Sequence, residues 1–233
     1  MKKRKLLAAV GLSLAVALTA CSGGKTTETS GTTGAAQETS EAAKDVAPIQ
    51  AEEGEKKSDK DSMIVAMDRE PASLDPNGNN VVVKRMIDNC LYDTLLKFDE
   101  NLTPVASLAE SWEQVDDTTW KFNLRKDVKF HDGTPLTSKD VLFSFQRLAN
   151  SSNGNNLADH FDPEGYEAPD DYTFILKTTT PYAFVEATLC SPGLAIVPEA
   201  EVEKVGDDAF GINPVGSGPY KFVSWTAGDS IVI

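Results

Sequence analysis

Histidine, cysteine, serine and the carboxylates are the side chains through which a chain of 233 residues would carry acid–base, nucleophilic or metal chemistry, and this one has only two histidines and three cysteines. His131 stands in "FHDGTPLTSKDVLFSF", residues 130–145, beside Asp132. A histidine base needs a nucleophile held within hydrogen-bond reach, and no serine motif supplies one. "GSG", residues 216–218, is neither a nucleophile elbow nor a dinucleotide loop, because Lys221 stands where the third glycine of G-x-G-x-x-G would fall. No phosphate-binding P-loop occurs. His160 lies in "DHFD", residues 159–162, with two acids in a Gly/Asn-rich stretch. A metal centre converges three or four ligands, so this stretch reads as a solvated loop. The many carboxylates show no spacing that picks out an acid–base pair. These residues point to a protein that is not an enzyme and that uses no metal and no cofactor, with His131 and Asp132 as turn residues.

The elements around His131 explain the turn. Thr137 followed by Asp140 is a capping-box-like helix start, and Val141, Leu142, Phe145, Leu148 and Ala149 form the apolar face behind it. "HDGTP" joins the strand "VKF" to that helix, with Gly133 free to take a positive φ and Pro135 fixing the approach. The ordered region around this unit is mixed in texture. "MIVAM", "LLKF", "SWEQV", "WKFNLR", "YTFILK", "LAIV" and "YKFVSW" read as strands. "WKFNLR" puts Trp120, Phe122 and Leu124 on one face. "DDTT" marks the hairpin turn before it. Val83, Met86, Ile87, Cys90 and Leu91 form a helical stripe, and "YAFVEATL" reads as a second helix. Alternating strands and helices without an internal repeat give a mixed α/β or α+β domain over residues 62–233.

The two segments before it have different compositions. Residues 1–20 carry Lys2, Lys3, Arg4 and Lys5 ahead of an apolar run from Leu6 to Ala20, an export-signal pattern. As a helix that run would extend roughly 22 Å, short of the roughly 30 Å hydrocarbon core, so a permanent span is the weaker reading. It ends in "LTAC", which resembles the lipobox of bacterial lipoproteins. That resemblance implies lipidation of Cys21, which becomes the mature N-terminus and is held at the outer face of the membrane by several acyl chains. Residues 21–61 are the lipidated cysteine and a Thr/Ser/Glu/Lys/Ala/Gly tether without an aromatic residue, unable to offset its own chain entropy by burial. As a flexible chain it reaches roughly 35 Å.

Charge excludes further classes. The formal net charge is −14, and removing residues 1–20 takes away four of the 22 basic residues and none of the 36 acidic ones. A nucleic-acid or anionic-lipid binder would need a basic surface. With Cys21 lipidated, Cys90 and Cys190 remain. Exported cysteines can pair, but Cys90 sits on the apolar helical stripe, which favours two separate buried thiols.

Three blocks carry a family resemblance: "SLDP" (73–76), "LAESWEQVDDTTWKFNLRKDVKFHDGTPLTSKDVLFSFQR" (108–147) and "NPVGSGPYKFVSW" (213–225). They are similar in kind, order and spacing to the solute-binding family 5 proteins of ABC importers, which carry oligopeptides, dipeptides and in some members nickel. The resemblance covers essentially all of residues 62–233. It implies the first lobe of a two-lobed, periplasmic-binding-protein-like II fold that closes on its ligand at a hinge. It also implies delivery of a small peptide to ABC permease subunits driven by a cytoplasmic ATPase, and a monomer. Peptide binders of this kind hold the main chain extended by strand-like hydrogen bonds, with hydrated pockets for side chains. The ligand-binding candidates in this lobe are Asn77, Asn79, Asn80 and Val81, just after "SLDP"; asparagine amides donate to and accept from a peptide backbone. The alternative is that they are turn and cap residues.

The chain departs from that family in length. Members run to about twice this size, with a second lobe, and this sequence stops at "GDSIVI" inside an apolar strand pattern. The expectation is therefore an N-terminal part, or a truncated product, lacking the C-terminal lobe and the acidic residue that meets a peptide's amino group. Residues 62–233 alone would bind peptide weakly or not at all. Other cargoes (nickel chelate, sugar, opine) stay open, as does a sensing or adhesion lipoprotein. An extracytoplasmic hydrolase would need a nucleophile and base that the residues do not supply.

Overall fold

A computed structural model describes residues 62–78, 82–151 and 157–233. Cys21, Asn79, Asn80 and Val81 lie outside the described residues.

Helix α1, Val82–Leu91, follows the "SLDP" turn. Its buried positions are Lys84, Ile87, Asp88 and Leu91, continued by Tyr92, an i, i+3, i+4, i+7, i+8 series. This face is rotated from the apolar stripe expected. Met86 is 57% exposed and Cys90 half-buried, while two charged residues take inward positions. They can do so because Lys84 and Asp88, one turn apart, pair with each other at 2.8 Å.

The chain then forms a hairpin of β1, Leu96–Phe98, and β2, Pro104–Ala106. Strands β3, Ala109–Gln114, and β4, Thr119–Leu124, are joined by the "DDTT" turn, where Asp116 Oδ1 accepts from the Thr118 amide at 2.9 Å. With β5, Glu167–Asp170, and β6, Thr173–Lys177, they build a four-stranded antiparallel sheet in the order β3-β4-β6-β5. Register places Trp112 opposite Phe122 and Phe122 opposite Phe174, an aromatic row across three strands.

Helix α2, Ser138–Ala149, lies on that row and buries Val141, Phe145 and Leu148. The Phe145 ring stands 5.2 Å from Phe174 and 5.7 Å, edge-on, from Tyr166. Its start is the expected capping box: Asp140 Oδ2 accepts from the Thr137 amide at 2.9 Å. Gly133, with φ +92°, closes the preceding turn.

Among the described residues, short α-helices follow at α3, Val185–Leu189, α4, Glu199–Val205, and α5, Asp207–Ile212. The chain ends in the hairpin of β7, Ser224–Thr226, and β8, Ser230–Val232. A large apolar cluster lies between α2 and the sheet, and a second gathers Leu74, Ile87, Leu91, Tyr92, Val197, Val202 and Phe210.

The expected strand "VKF" is reduced to a single bridge of Lys129 with Pro135, and three further strand expectations fail through the destination of their backbone hydrogen bonds. "LAIV" is buried and extended, but the Val197 amide donates to Ser144 Oγ at 2.9 Å and the Ile196 amide to the Asp93 carbonyl at 3.0 Å, so no ladder forms. "MIVAM" has no strand partner among the described residues, and Ile64 is 95% exposed. "YKFVSW" becomes a strand only at Ser224, because the Tyr220 amide donates to the Cys90 carbonyl. The second expected helix shortens to α3. Cys90 and Cys190 are both free thiols.

Candidate functional site

The residues quoted as three separate sequence blocks meet at the two ends of α1. At the N-terminal end, Ser73 Oγ accepts from the Asp75 amide at 3.1 Å, and Asp75 Oδ1 accepts from the Asn77 amide at 3.0 Å. These side-chain-to-backbone bonds fold "SLDP" into a tight turn. Asp75 also takes a forked ion pair from Arg147 at the end of α2, at 2.8 and 2.5 Å. The same guanidinium donates to Asn77 Oδ1 at 3.1 Å and to Asp207 of α5 at 2.7 Å. Burial works against the charge on Arg147, but Asp75 and Asp207 outweigh it and hold its pKa above the ordinary arginine value. Sequence reasoning missed Arg147. The only signals were an arginine in the last turn of a predicted helix and an acid in a turn far upstream.

Asn77 itself is 2% exposed. Its Nδ2 donates to the carbonyls of Gly193 at 3.1 Å and Ala195 at 3.4 Å, so its amide ties the α1 approach to the buried "LAIV" segment. The structure thus places it as an internal anchor of the turn that precedes α1.

At the C-terminal end of α1, the orphaned carbonyls of Cys90 and Leu91 accept from the amides of Tyr220 and Gly218, at 2.9 and 3.0 Å. Only glycine permits this approach. A β-carbon on Gly218 would lie 2.6 Å from the Cys90 carbonyl oxygen, and one on Gly216 would overlap the Leu91 carbonyl. His131 locks the segment from the other side: the Gly216 amide donates to its Nδ1 at 3.3 Å, and its Nε2 contacts the Gly218 carbonyl at 2.9 Å. A carbonyl only accepts, so this pattern requires the neutral tautomer with the proton on Nε2. The His131 amide also donates to the Gly216 carbonyl at 2.8 Å, and Lys221 Nζ to the His131 carbonyl at 2.8 Å. His131 is a turn residue, as expected, and in addition the clasp that closes the glycine segment over α1.

Between the two ends, Lys84 and Asp88 form a buried ion pair. Asp88 Oδ1 has no hydrogen-bond partner among the described residues. Burial pushes the Asp88 carboxyl up to about 6, against the attraction of Lys84. Burial also pushes up the Tyr92 hydroxyl, which donates to the Leu74 carbonyl at 2.9 Å and so joins the two ends of the helix.

This arrangement orders a loop and a helix, and it assembles no nucleophile with a base. His160 stacks on Tyr182 with centroids 4.2 Å apart and, among the described residues, its one acidic neighbour is Asp159, at 3.7 Å. Among the described residues no group of three metal-ligating side chains converges, and no helix is long and apolar enough to cross a membrane.

Comparison with known proteins agrees with the geometry. The family model described as bacterial extracellular solute-binding proteins, family 5 Middle, matches residues 103–233. The periplasmic oligopeptide-binding protein OppA of Salmonella typhimurium is 30% identical over 194 residues, covering 75% of this chain and 36% of the relative. Among solved structures, Haemophilus influenzae OppA in complex with the peptide RPPGFSPFR aligns with a TM-score of 0.64 and 30% identity, over 70% of this chain and 36% of the other. AgaA of A. tumefaciens R10, in complex with agropinic acid, aligns with a TM-score of 0.64 and 32% identity, over 70% and 33%. The chain spans about a third of the length of the curated relatives it matches.

Proposed function

Because the chain belongs to the family 5 bacterial extracellular solute-binding proteins, we propose that it captures peptides outside the cytoplasm and hands them to the permease of an ABC importer. The observation that carries this reading is the convergence of the Asp75–Arg147 pair, the Asn77 anchor and the His131 clasp on α1. The first two hold the turn that launches α1 at its N-terminal end, and the third closes its C-terminal end, so the helix that follows residues 77–81 is fixed at both ends. In this proposal Asn79, Asn80 and Val81 present amide and backbone groups to the main chain of an extended peptide, with Asn77 fixing their approach from inside. A second lobe closing over the ligand would expel water and favour the bound state only through contacts made on closure. Lipidation of Cys21 would hold the receptor at the outer face of the membrane, with residues 22–61 as tether.

The likeness to the H. influenzae OppA–peptide complex supports peptide as the cargo. The likeness to AgaA favours a second reading, an opine-type acid on the same loop.

The test is uptake. An amino-acid auxotroph lacking this gene should lose growth on tri- to pentapeptides that contain the required residue, and regain it when the gene is restored. Unimpaired growth on all such peptides, with loss of uptake of an opine acid, would transfer the assignment to the second reading. Loss of neither would remove the transport assignment.

A further inference from the structure

The formal charge of −14 hides a local reversal. A recess of about 300 Å³ is rimmed by Lys97 of β1 and by Arg125 and Lys129, which stand four residues apart after β4. Each segment is fixed: Lys97 pairs with Val105 in the β1–β2 hairpin, the Arg125 amide donates to the Leu108 carbonyl at 2.9 Å, and Lys129 bridges Pro135. Lys97 and Lys129 make no ion pair among the described residues. Arg125 is held by Asp127 at 3.1 and 2.8 Å, which engages only part of a guanidinium with five N–H donors. Leu108 and Val128 also line the recess, whose surface is mostly polar. Asp93 also lines the recess, and its Oδ2 accepts from Ser217 Oγ at 3.0 Å.

We propose that this recess binds a small oxyanion, a carboxylate or phosphate group, through Lys97, Lys129 and Arg125. None of its lining residues is among those assigned to solute capture, and the site does not depend on that assignment. Its size suits a single oxyanion group or a short organic acid. Asp93 tunes the strength of the site, because its negative charge offsets one cation while Asp127 already offsets Arg125. Burial pushes its carboxyl up, against the Ser217 hydrogen bond and the charges of Lys97 on β1 and Arg125 at the end of β4; His131 faces it from the turn as a neutral ring while it accepts from the Gly216 amide. As pH falls Asp93 therefore takes up a proton earlier than an ordinary carboxylate would, and the recess becomes more positive.

The experiment is a ¹H–¹⁵N NMR titration of the full chain with sodium phosphate and, separately, sn-glycerol 3-phosphate, a soluble lipid headgroup, against sodium chloride at matched ionic strength. Saturable shifts of the Leu108 and Ser217 amides are expected. Lys97→Ala combined with Lys129→Ala, two exposed positions, should weaken binding by about tenfold or more, and Asp93→Asn should tighten it several-fold. Equal affinity for the two probes assigns a free oxyanion, and response to the glycerol ester alone assigns a headgroup; both uphold the site. Shifts that chloride reproduces, shifts untouched by the double variant, or no shift with either probe would overturn it.

Discussion

Arg147 and Asp75, 72 positions apart, are joined through two parallel hydrogen bonds, Nη1 to Oδ1 at 2.8 Å and Nη2 to Oδ2 at 2.5 Å. Their side chains are only 13% and 7% exposed. This fork couples the end of α2 to the turn that launches α1. It therefore links the helix covering the sheet to the loop that we assign to solute capture.

Removing one partner of a buried pair strands the other. Arg147→Ala should cost about 3–5 kcal/mol of stability, and Arg147→Lys should recover only part of it, since an ammonium cannot fork. Urea denaturation of the three proteins measures this. Equal midpoints for Arg147→Lys and the parent would show that the fork geometry carries no weight.

The glycine segment gives a paired comparison. Gly218→Ala drives a β-carbon against the α1 backbone and should destabilise by about 1–3 kcal/mol or more. Gly133→Ala meets open space and incurs only the positive-φ penalty, about 1–2 kcal/mol. Thermal melts should rank Gly218→Ala below Gly133→Ala, and the reverse order would mean that the close approach to α1 relaxes without cost.

Asp88 imposes a pH dependence whose sign is set by its raised pKa. The folded carboxyl titrates near 6 and an unfolded one near 3.9, so the folded state takes up a proton first as pH falls. Its contribution to stability is thus smallest above about pH 6 and grows as pH drops from about 6 to about 4. The stability of the parent relative to Asp88→Asn should rise over that window, as read from urea midpoints at each pH. A difference that stays flat from pH 7 to pH 4 would show that Asp88 is not protonated there.

Cys21→Ala tests the anchor. Labelled palmitate should enter the parent and not the variant, and the variant should move from the membrane to the soluble fraction. Equal labelling of both would place the lipid elsewhere.

Local pattern made some of this legible and partner choice did not. Thr137, Asp140, Val141, Phe145 and Leu148 predict α2 from within one stretch, because a capping box and a 3.6-residue period are satisfied locally. The aromatic face of β4 is readable for the same reason. "LAIV" has the composition of a strand, yet its amides go to Ser144 and Asp93, and no run of four residues records where its hydrogen bonds will end. Lys84 and Asp88 conceal the buried face of α1, since each charge is tolerated inside only because of the other. His131 was readable as a turn residue, but its clasp on Gly216 and Gly218 joins positions 85 and 87 apart. The resemblance of the three blocks identified the family, and their meeting at α1 gives a physical reason why they occur together.

The C-terminal closure of α1 also sets a timetable. The Asp93–Ser217 bond spans 124 positions, and the last carbonyls of α1 wait for amides from that same stretch. At about 5–20 residues per second, a ribosome needs roughly 6–25 seconds to make the intervening chain. During that interval the C-terminal carbonyls of the helix have no partner from this segment, and the end of α1 stays open to water.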